Sequence, residues 1–430
     1  MFVSTAFVAS NLYYFHRWTF SYSSSSTSPS YSDTPFVWKV GKYALLGAAT
    51  FGAWVWFLWR VRPGRPAVWD WGRRGLWGLP VMFAALAALA TLIAVPGSPE
   101  AREAVAWFFF LPAVMLLPAV PLTKLTLRAF LHAGLGLIAY HAVFVLVQIV
   151  SYLVVDRVPA LSYAGGLLRF GGGLDDPNGF GIIIVLPILL TATMWRSFPR
   201  RWMPRTLIGL CAALLLAPSS FSALAGCVAG LAALALILRR PRLLVVLVLG
   251  VSLCALVLFQ IPYVRRTVSA KSQSALGRFD FNGVEGQYGL GDHLSDLDPL
   301  TLLFGDPSSP IVSENAYVLG FVYFGVIGVG LVLTAIVISV RRGVLTAWRA
   351  RQAGDLLIAR LYEGLAAYLV AFAVASLGVP FFGVFPSNML FWIVAALAAS
   401  GPFIELAPRR GTSSAPREHS IEPTAGPLHG

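Results

Sequence analysis

The chain has 430 residues, of which 57% are hydrophobic and only 12% charged, with a mean hydropathy of +0.74. A soluble globular protein carries about 25% charged residues, so a soluble enzyme is excluded. The net charge of +13 does not mark a soluble nucleic-acid binder either, because the basic residues punctuate long apolar runs instead of clustering on one polar surface. What remains is an all-α, polytopic transmembrane helical bundle with the lipid bilayer as its solvent.

Residues 1–42 form a weak N-terminal segment. Met1 to Phe20 is apolar enough for about one short span but contains Asn11, His16 and Arg17. It lacks the basic head and small-residue cleavage site of a signal peptide. The serine-rich run from Ser21 to Ser32 reads as a disordered loop. Membrane helices follow over residues 43–262, on the criterion that a span needs roughly 20 apolar residues. Candidates run Tyr43–Trp59, Leu76–Val95, Ala104–Leu122, Leu131–Val155, Gly179–Phe198, Thr206–Pro218, Phe221–Leu238 and Leu243–Ile261. A long connection occupies residues 263–315. The C-terminal membrane helices, residues 316–404, hold Ala316–Val340, Tyr362–Phe382 and Ser387–Ile404, and residues 405–430 form a disordered tail. The total is eleven spans, or twelve with the weak first one. Thr206–Pro218 and Phe221–Leu238 are short and separated only by Ser219-Ser220, which predicts a tight helical hairpin or one broken helix.

Charge sets the orientation, since cytoplasmic loops carry the lysine and arginine excess. Arg60, Arg62, Arg65, Arg73 and Arg74 share one connection; Arg196, Arg200, Arg201 and Arg205 share another. Arg239, Arg240 and Arg242 form a third group, and Arg341, Arg342, Arg349, Arg351 and Arg360 a fourth. With Lys124, Arg128 and the tail's Arg409, Arg410 and Arg417, this side holds most of the basic residues. The C-terminus is therefore expected in the cytoplasm, and Asp156–Asn178 and Pro262–Asn315 on the opposite side. The three cysteines, Cys211, Cys227 and Cys254, lie in apolar stretches without metal-ligand or disulfide spacing, and read as small core residues.

Polar chemistry concentrates on the arginine-poor side. Arg169-Phe-Gly-Gly-Gly-Leu-Asp-Asp-Pro-Asn178 precedes a span. Three glycines permit close backbone approach, Asp-Pro-Asn signals a turn, and Asn178 suits the cap of a helix beginning near Gly179. A tight turn accounts for all of these except Arg169, which is placed to meet an anion. Asp175 and Asp176 lack the further ligands a metal site needs, so no metal is expected. At the far end of the long connection, Ser313-Glu-Asn-Ala-Tyr317 reads in two ways. In one, Ser313 is a helix cap with Glu314 in a first turn; in the other, Glu314 is a carboxylate base at the membrane surface. Arg265 and Arg266 suit interface anchors, while Arg278, beside Gly277, suits a specific anion contact. Guanidinium groups bind phosphate bidentately, and two or three of them can hold a diphosphate.

The order of these pieces resembles the O-antigen ligase and O-antigen polymerase superfamily. The resemblance rests on Arg169-x-x-Gly172 with Asp-Pro-Asn178 before one span, a small-residue, Ser-rich span two later, and a long outer loop. Gly277-Arg278 and Leu303-Phe304-Gly305 within that loop, and Glu314-Asn315 followed by nine residues to Gly325-Val-Ile-Gly328, complete it. It covers roughly Arg169 to Gly328. Two departures stand out. Ligases of this superfamily carry a histidine before the loop-end asparagine, where this chain has Glu314, and His293 lies in a different context. The family's Ser-Arg pair is represented by Ser219-Ser220-Phe221, without the arginine. The missing histidine favours polymerase over ligase.

The resemblance implies a multi-pass protein of the bacterial inner membrane, with an extracytoplasmic site that transfers a glycan from a polyprenyl diphosphate to a sugar hydroxyl. Its partners would be the lipid-linked donor, a glycan acceptor and polysaccharide-assembly proteins; no cofactor and no nucleic acid are expected. Arg169, Arg278 and Arg265 or Arg266 would stabilise the diphosphate, Glu314 would act as base, and Asn178, Asn315 and Tyr317 would bind substrate or support these groups. The competing class is a transporter, which usually carries ionisable residues within its membrane helices and often related halves. His132 and His141 are the main ionisable residues within these spans and read as interhelical hydrogen-bonding groups.

Overall fold

The computed structural model describes residues 124–155, 161–164, 167–172, 177–260, 298–306, 315–379 and 387–399. The first three full candidate spans, the N-terminal segment, the C-terminal tail, and Arg265, Arg266, Arg278 and Glu314 lie outside the described residues.

The described chain is almost wholly helical. Helix α1 runs Lys124–Val155 and a short antiparallel hairpin follows, β1 (Leu161–Ala164) with β2 (Leu167–Phe170). Then come α2 (Pro177–Met194), α3 (Trp202–Leu216), α4 (Phe221–Ile237) and α5 (Pro241–Phe259). A short α6 (Pro299–Phe304) precedes α7 (Ala316–Gln352), α8 (Leu356–Ala375) and α9 (Ser387–Ala399). Three segments are long and apolar enough to cross a membrane: Pro177–Ser197, Ala316–Gln352 and Leu356–Ala375. Trp202–Leu216, Phe221–Ile237 and stretches of α1, α5 and α9 are shorter apolar helices.

The bundle is built around α2 and α8. An apolar helix with no polar stripe must be surrounded by other helices or by lipid, and α2 is surrounded: all but three of its residues are buried, Phe180, Ile182, Val185 and Leu189 fully or nearly so. Helix α8 packs against α4, α7 and α2. Small residues let these backbones approach, as is usual between membrane helices. A side chain at Gly226 would meet the Ala371 carbonyl at 2.6 Å, and one at Gly364 would meet Leu190 at 2.8 Å. The outward faces of α1 and α5, by contrast, expose Val143, Leu146, Val154, Val246 and Leu249. An apolar surface of this kind fits contact with lipid tails.

Three expectations change. The two short helices α3 and α4 are separate but do not form a tight pair, because each packs against α2 instead of against the other. Helix α7 continues past Val340 to Gln352, through the arginines read as a connection. Arginine is a good helix former, and this extension is anchored by Ala347 and Ala350, both buried. Finally, Leu161–Ala164 and Leu167–Phe170 pair as strands where only a loop was expected. The cysteine reading holds for Cys211 and Cys227, which are free and buried.

Helix α7 is bent at Gly325, whose backbone (φ 62°, ψ −168°) is not helical. Helix α6 docks into this bend. Gly305, at φ 81°, ends α6, and a side chain there would lie 2.6 Å from the Gly325 nitrogen. The Asp306 amide donates to the Val322 carbonyl at 2.6 Å. Only glycine has both the freedom and the missing Cβ that this backbone-on-backbone contact requires.

Candidate functional site

Arg169 lies on β2, opposite Ser162 in the hairpin, and is only 9% exposed. Its Nε–H donates to the Pro218 carbonyl at 2.9 Å, and an Nη donates to Asn178 Oδ1. Beside it, the Phe170 amide donates to the Ala217 carbonyl at 3.2 Å. The hairpin is thereby seated on the turn that joins α3 to α4. That turn is shaped by Ser219, at φ 49°, and by Ser220, whose hydroxyl caps α4 by accepting from the Ala223 amide at 3.3 Å. Arg169 therefore reaches the Ser219-Ser220 turn through space, although no arginine adjoins that pair in sequence.

The helix after the glycines begins at Pro177, a favoured first helical residue. Asn178 is thus inside the first turn and not its cap. Its side-chain oxygen faces Arg169.

At the other motif the helix cap is Asn315, not Ser313. The Asn315 side-chain oxygen accepts from the Tyr317 amide at 2.9 Å and the Val318 amide at 3.3 Å. Glu314 accordingly precedes the cap instead of standing in the first turn. The Tyr317 hydroxyl donates to the Ala373 carbonyl at 2.8 Å, and the Ala316 amide donates to the Ser376 carbonyl at 2.9 Å. Both bonds fasten the start of α7 to the end of α8.

The two motifs share one end of the bundle. Gly378, just past α8, lies against the Ser222 side chain at the start of α4, and Gly226 packs on Ala375. The path runs from Arg169 to Pro218, across the start of α4 to the end of α8, and on to Ala316. Arginines gather at the opposite end, where Arg351 pairs with buried Glu363 and Arg360 donates to the Ser197 hydroxyl at 3.0 Å. Arg240 also acts electrostatically on Glu363. Among the described residues, Arg240, Arg351 and Arg360 thus share one end of the bundle.

Near α7, Asp298 caps α6. Its carboxylate accepts from the Leu300 and Thr301 amides at 2.7 and 2.9 Å and from the Thr301 hydroxyl at 2.9 Å. These bonds, the Thr301 amide foremost, lower its pKa from the ordinary value. Hydrogen bonds to the charged form act in this direction.

Two residues that sequence reasoning assigned no part in a site, His141 and Gln148, reach the same loop. The Gly172 carbonyl accepts from His141 Nδ1, and the Gly172 amide donates to Gln148 Oε1 at 3.2 Å. The only signal was their spacing, two helical turns apart on one face of the mostly apolar α1. Among the described residues, no group of three His, Cys, Asp or Glu is placed to hold a metal.

Compared with known proteins, the chain matches no family model, no curated protein and no solved structure. What the fold defines on its own is the broad class, a helical protein with segments able to cross a membrane.

Proposed function

We propose that this chain is an integral-membrane glycan transferase of the bacterial inner membrane, with eleven or twelve spans and a cytoplasmic C-terminus. In this reading it polymerises oligosaccharide repeat units carried on a polyprenyl diphosphate such as undecaprenyl diphosphate, to build O-antigen or exopolysaccharide of the cell envelope. The observation that carries it is Arg169: a buried arginine, hydrogen-bonded in place, at the same end of the bundle as the Asn315 motif and opposite the arginine-rich end.

The chemistry follows from these groups. The anomeric carbon–oxygen bond to the diphosphate breaks, and a bond forms from that carbon to an acceptor hydroxyl oxygen. The hydroxyl proton passes to Glu314, and attack opposite the leaving group inverts the anomeric centre. Diphosphate is a good leaving group, so cations that stabilise its developing charge matter more than a strong acid. Arg169 and Arg278 take that role, with Arg265 and Arg266 at the membrane surface. Asn178 holds Arg169, while Asn315 and Tyr317 hold the start of α7 beside Glu314. The reaction drawn this way uses arginines where other transferases use a metal.

Two alternatives make different predictions. A ligase would move the finished glycan to a lipid A core or a protein. A transporter is favoured by one observation, the carboxylate of Glu363, buried inside an apolar helix. The test supplies a lipid-linked repeat unit to the purified protein in liposomes. A ladder of products supports the polymerase, a single addition to a distinct acceptor supports the ligase, and movement across a sealed bilayer with no new bond supports the transporter. Wild-type transfer rates in both Glu314→Gln and Arg278→Ala would sink the proposed site.

A further inference from the structure

We infer that His141 and Gln148 of α1 are positioning residues for the anion-binding arginine, acting through the backbone of Gly172. This rests on the transferase reading for what Arg169 binds, but the clamp itself stands on geometry. Both hydrogen-bonding groups of one glycine are taken by side chains of one helix. His141 donates from Nδ1 to the Gly172 carbonyl, and Gln148 Oε1 accepts from the Gly172 amide at 3.2 Å. Both side chains are fully buried.

Gly172 needs holding. Its φ is +57°, in the left-handed region, and the Phe180 ring lies 2.6 Å from where a Cβ would stand. The Phe180 ring also packs on the His141 imidazole, with centroids 5.0 Å apart. Helix α1, the glycine turn and the first turn of α2 are therefore locked as one unit. Arg169 stands three residues before this glycine and Asn178 six after it, so the clamp governs how the strand approaches the helix start.

The role of His141 also fixes its chemistry. A carbonyl only accepts, so Nδ1 carries the proton, and in the neutral imidazole Nε2 is the bare nitrogen. Among the described residues Nε2 is buried without a partner. A buried polar atom left unpaired keeps its full desolvation cost. A residue needed only for packing has no reason to carry that cost, whereas a donor aimed at one carbonyl does.

The test separates clamp from packing by conservative rescue. Asparagine places an amide nitrogen near the position of Nδ1, so His141→Asn keeps the donor while His141→Leu removes it. Loss of one such bond is expected to lower kcat/KM for the donor about tenfold, part of it as a raised donor KM, because a displaced Arg169 grips the bound diphosphate less and stabilises its developing charge less. His141→Asn should recover most of that loss. Hydrogen exchange at the Gly172 amide gives a readout independent of activity: it should accelerate in Gln148→Met and in His141→Leu. Should wild type transfer glycan and Arg169→Ala abolish it, while His141→Leu and Gln148→Met keep both donor kcat/KM and Gly172 exchange unchanged, the clamp is refuted and the transferase reading survives. Absent transfer in wild type, the functional reading fails, and Gly172 exchange still decides the clamp.

Discussion

Replacing Gly325 by alanine tests the bend in α7 and the docking of α6 together. Two costs add. The backbone at φ 62°, ψ −168° belongs to a region essentially reserved for glycine, and forcing alanine into it costs about 1–3 kcal/mol. The new Cβ would also fall against the backbone carbonyl of Leu303 and 2.6 Å from the Phe304 nitrogen. Carbon atoms normally settle about 3.5–4.0 Å apart, and these neighbours are backbone, so relief requires α6 to withdraw. Withdrawal breaks the bond from the Asp306 amide to Val322, worth about 0.5–1.5 kcal/mol net. A total of roughly 2–4 kcal/mol is expected from these terms. Gly330→Ala, in the same helix, is the control. Nothing lies within 4 Å of its Cβ position, and alanine gains up to about 1 kcal/mol over glycine in a helix interior. Thermal unfolding in detergent should therefore move in opposite directions for the two variants, and proteolysis near 298–306 should rise only in Gly325→Ala. If both variants unfold at the wild-type temperature, the backbone contact between α6 and α7 is not a determinant of the fold.

Three further outcomes follow from named contacts. Arg169→Lys keeps the charge but cannot span the Pro218 carbonyl and Asn178 as a guanidinium does, so transfer from a lipid-linked donor should fall about 100-fold; initial rates equal to wild type would remove Arg169 from the site. Asp298 has a lowered pKa in the folded protein, so its contribution is complete above the unfolded value and disappears as pH falls through the still lower folded one. The carboxyl-carbon NMR titration of Asp298 should have its midpoint below the ordinary value of 3.8, and a midpoint at or above that value would deny the cap. Arg351→Ala leaves Glu363 buried without its ion-pair partner. Because Arg351 is about half exposed, the loss should be about 1–3 kcal/mol rather than the larger cost of a wholly buried pair. Adding Glu363→Gln should restore part of it in thermal unfolding, and a strictly additive double variant would deny the coupling.

Hydropathy located every described helix except the short α6, because burying a backbone in lipid or among helices leaves few alternatives to a long apolar run. The boundaries were less legible. Proline at 177 and asparagine at 315 set the helix starts one or two residues away from where turn chemistry suggested. The reach of α7 to Gln352 depended on Ala347 and Ala350 finding α8, a packing fact with no local signature. The hairpin carrying Arg169 was missed for the same reason, since its strands are held partly by a turn almost fifty residues later.

Composition alone settled that this is a chain rich in apolar helices, because solvation by lipid and the cost of buried charge act residue by residue. Local sequence also marked Arg169 and the glycine run that holds Gly172, while Asn315 and Gly325 were marked by the family resemblance. Only the tertiary structure decided what they touch. It joined Arg169 to the Ser219-Ser220 turn, brought the Gly305 and Gly325 backbones together, and set His141 and Gln148 on the two sides of Gly172. Those are contacts between residues distant in sequence, and they exist only once close packing has chosen which helix faces meet.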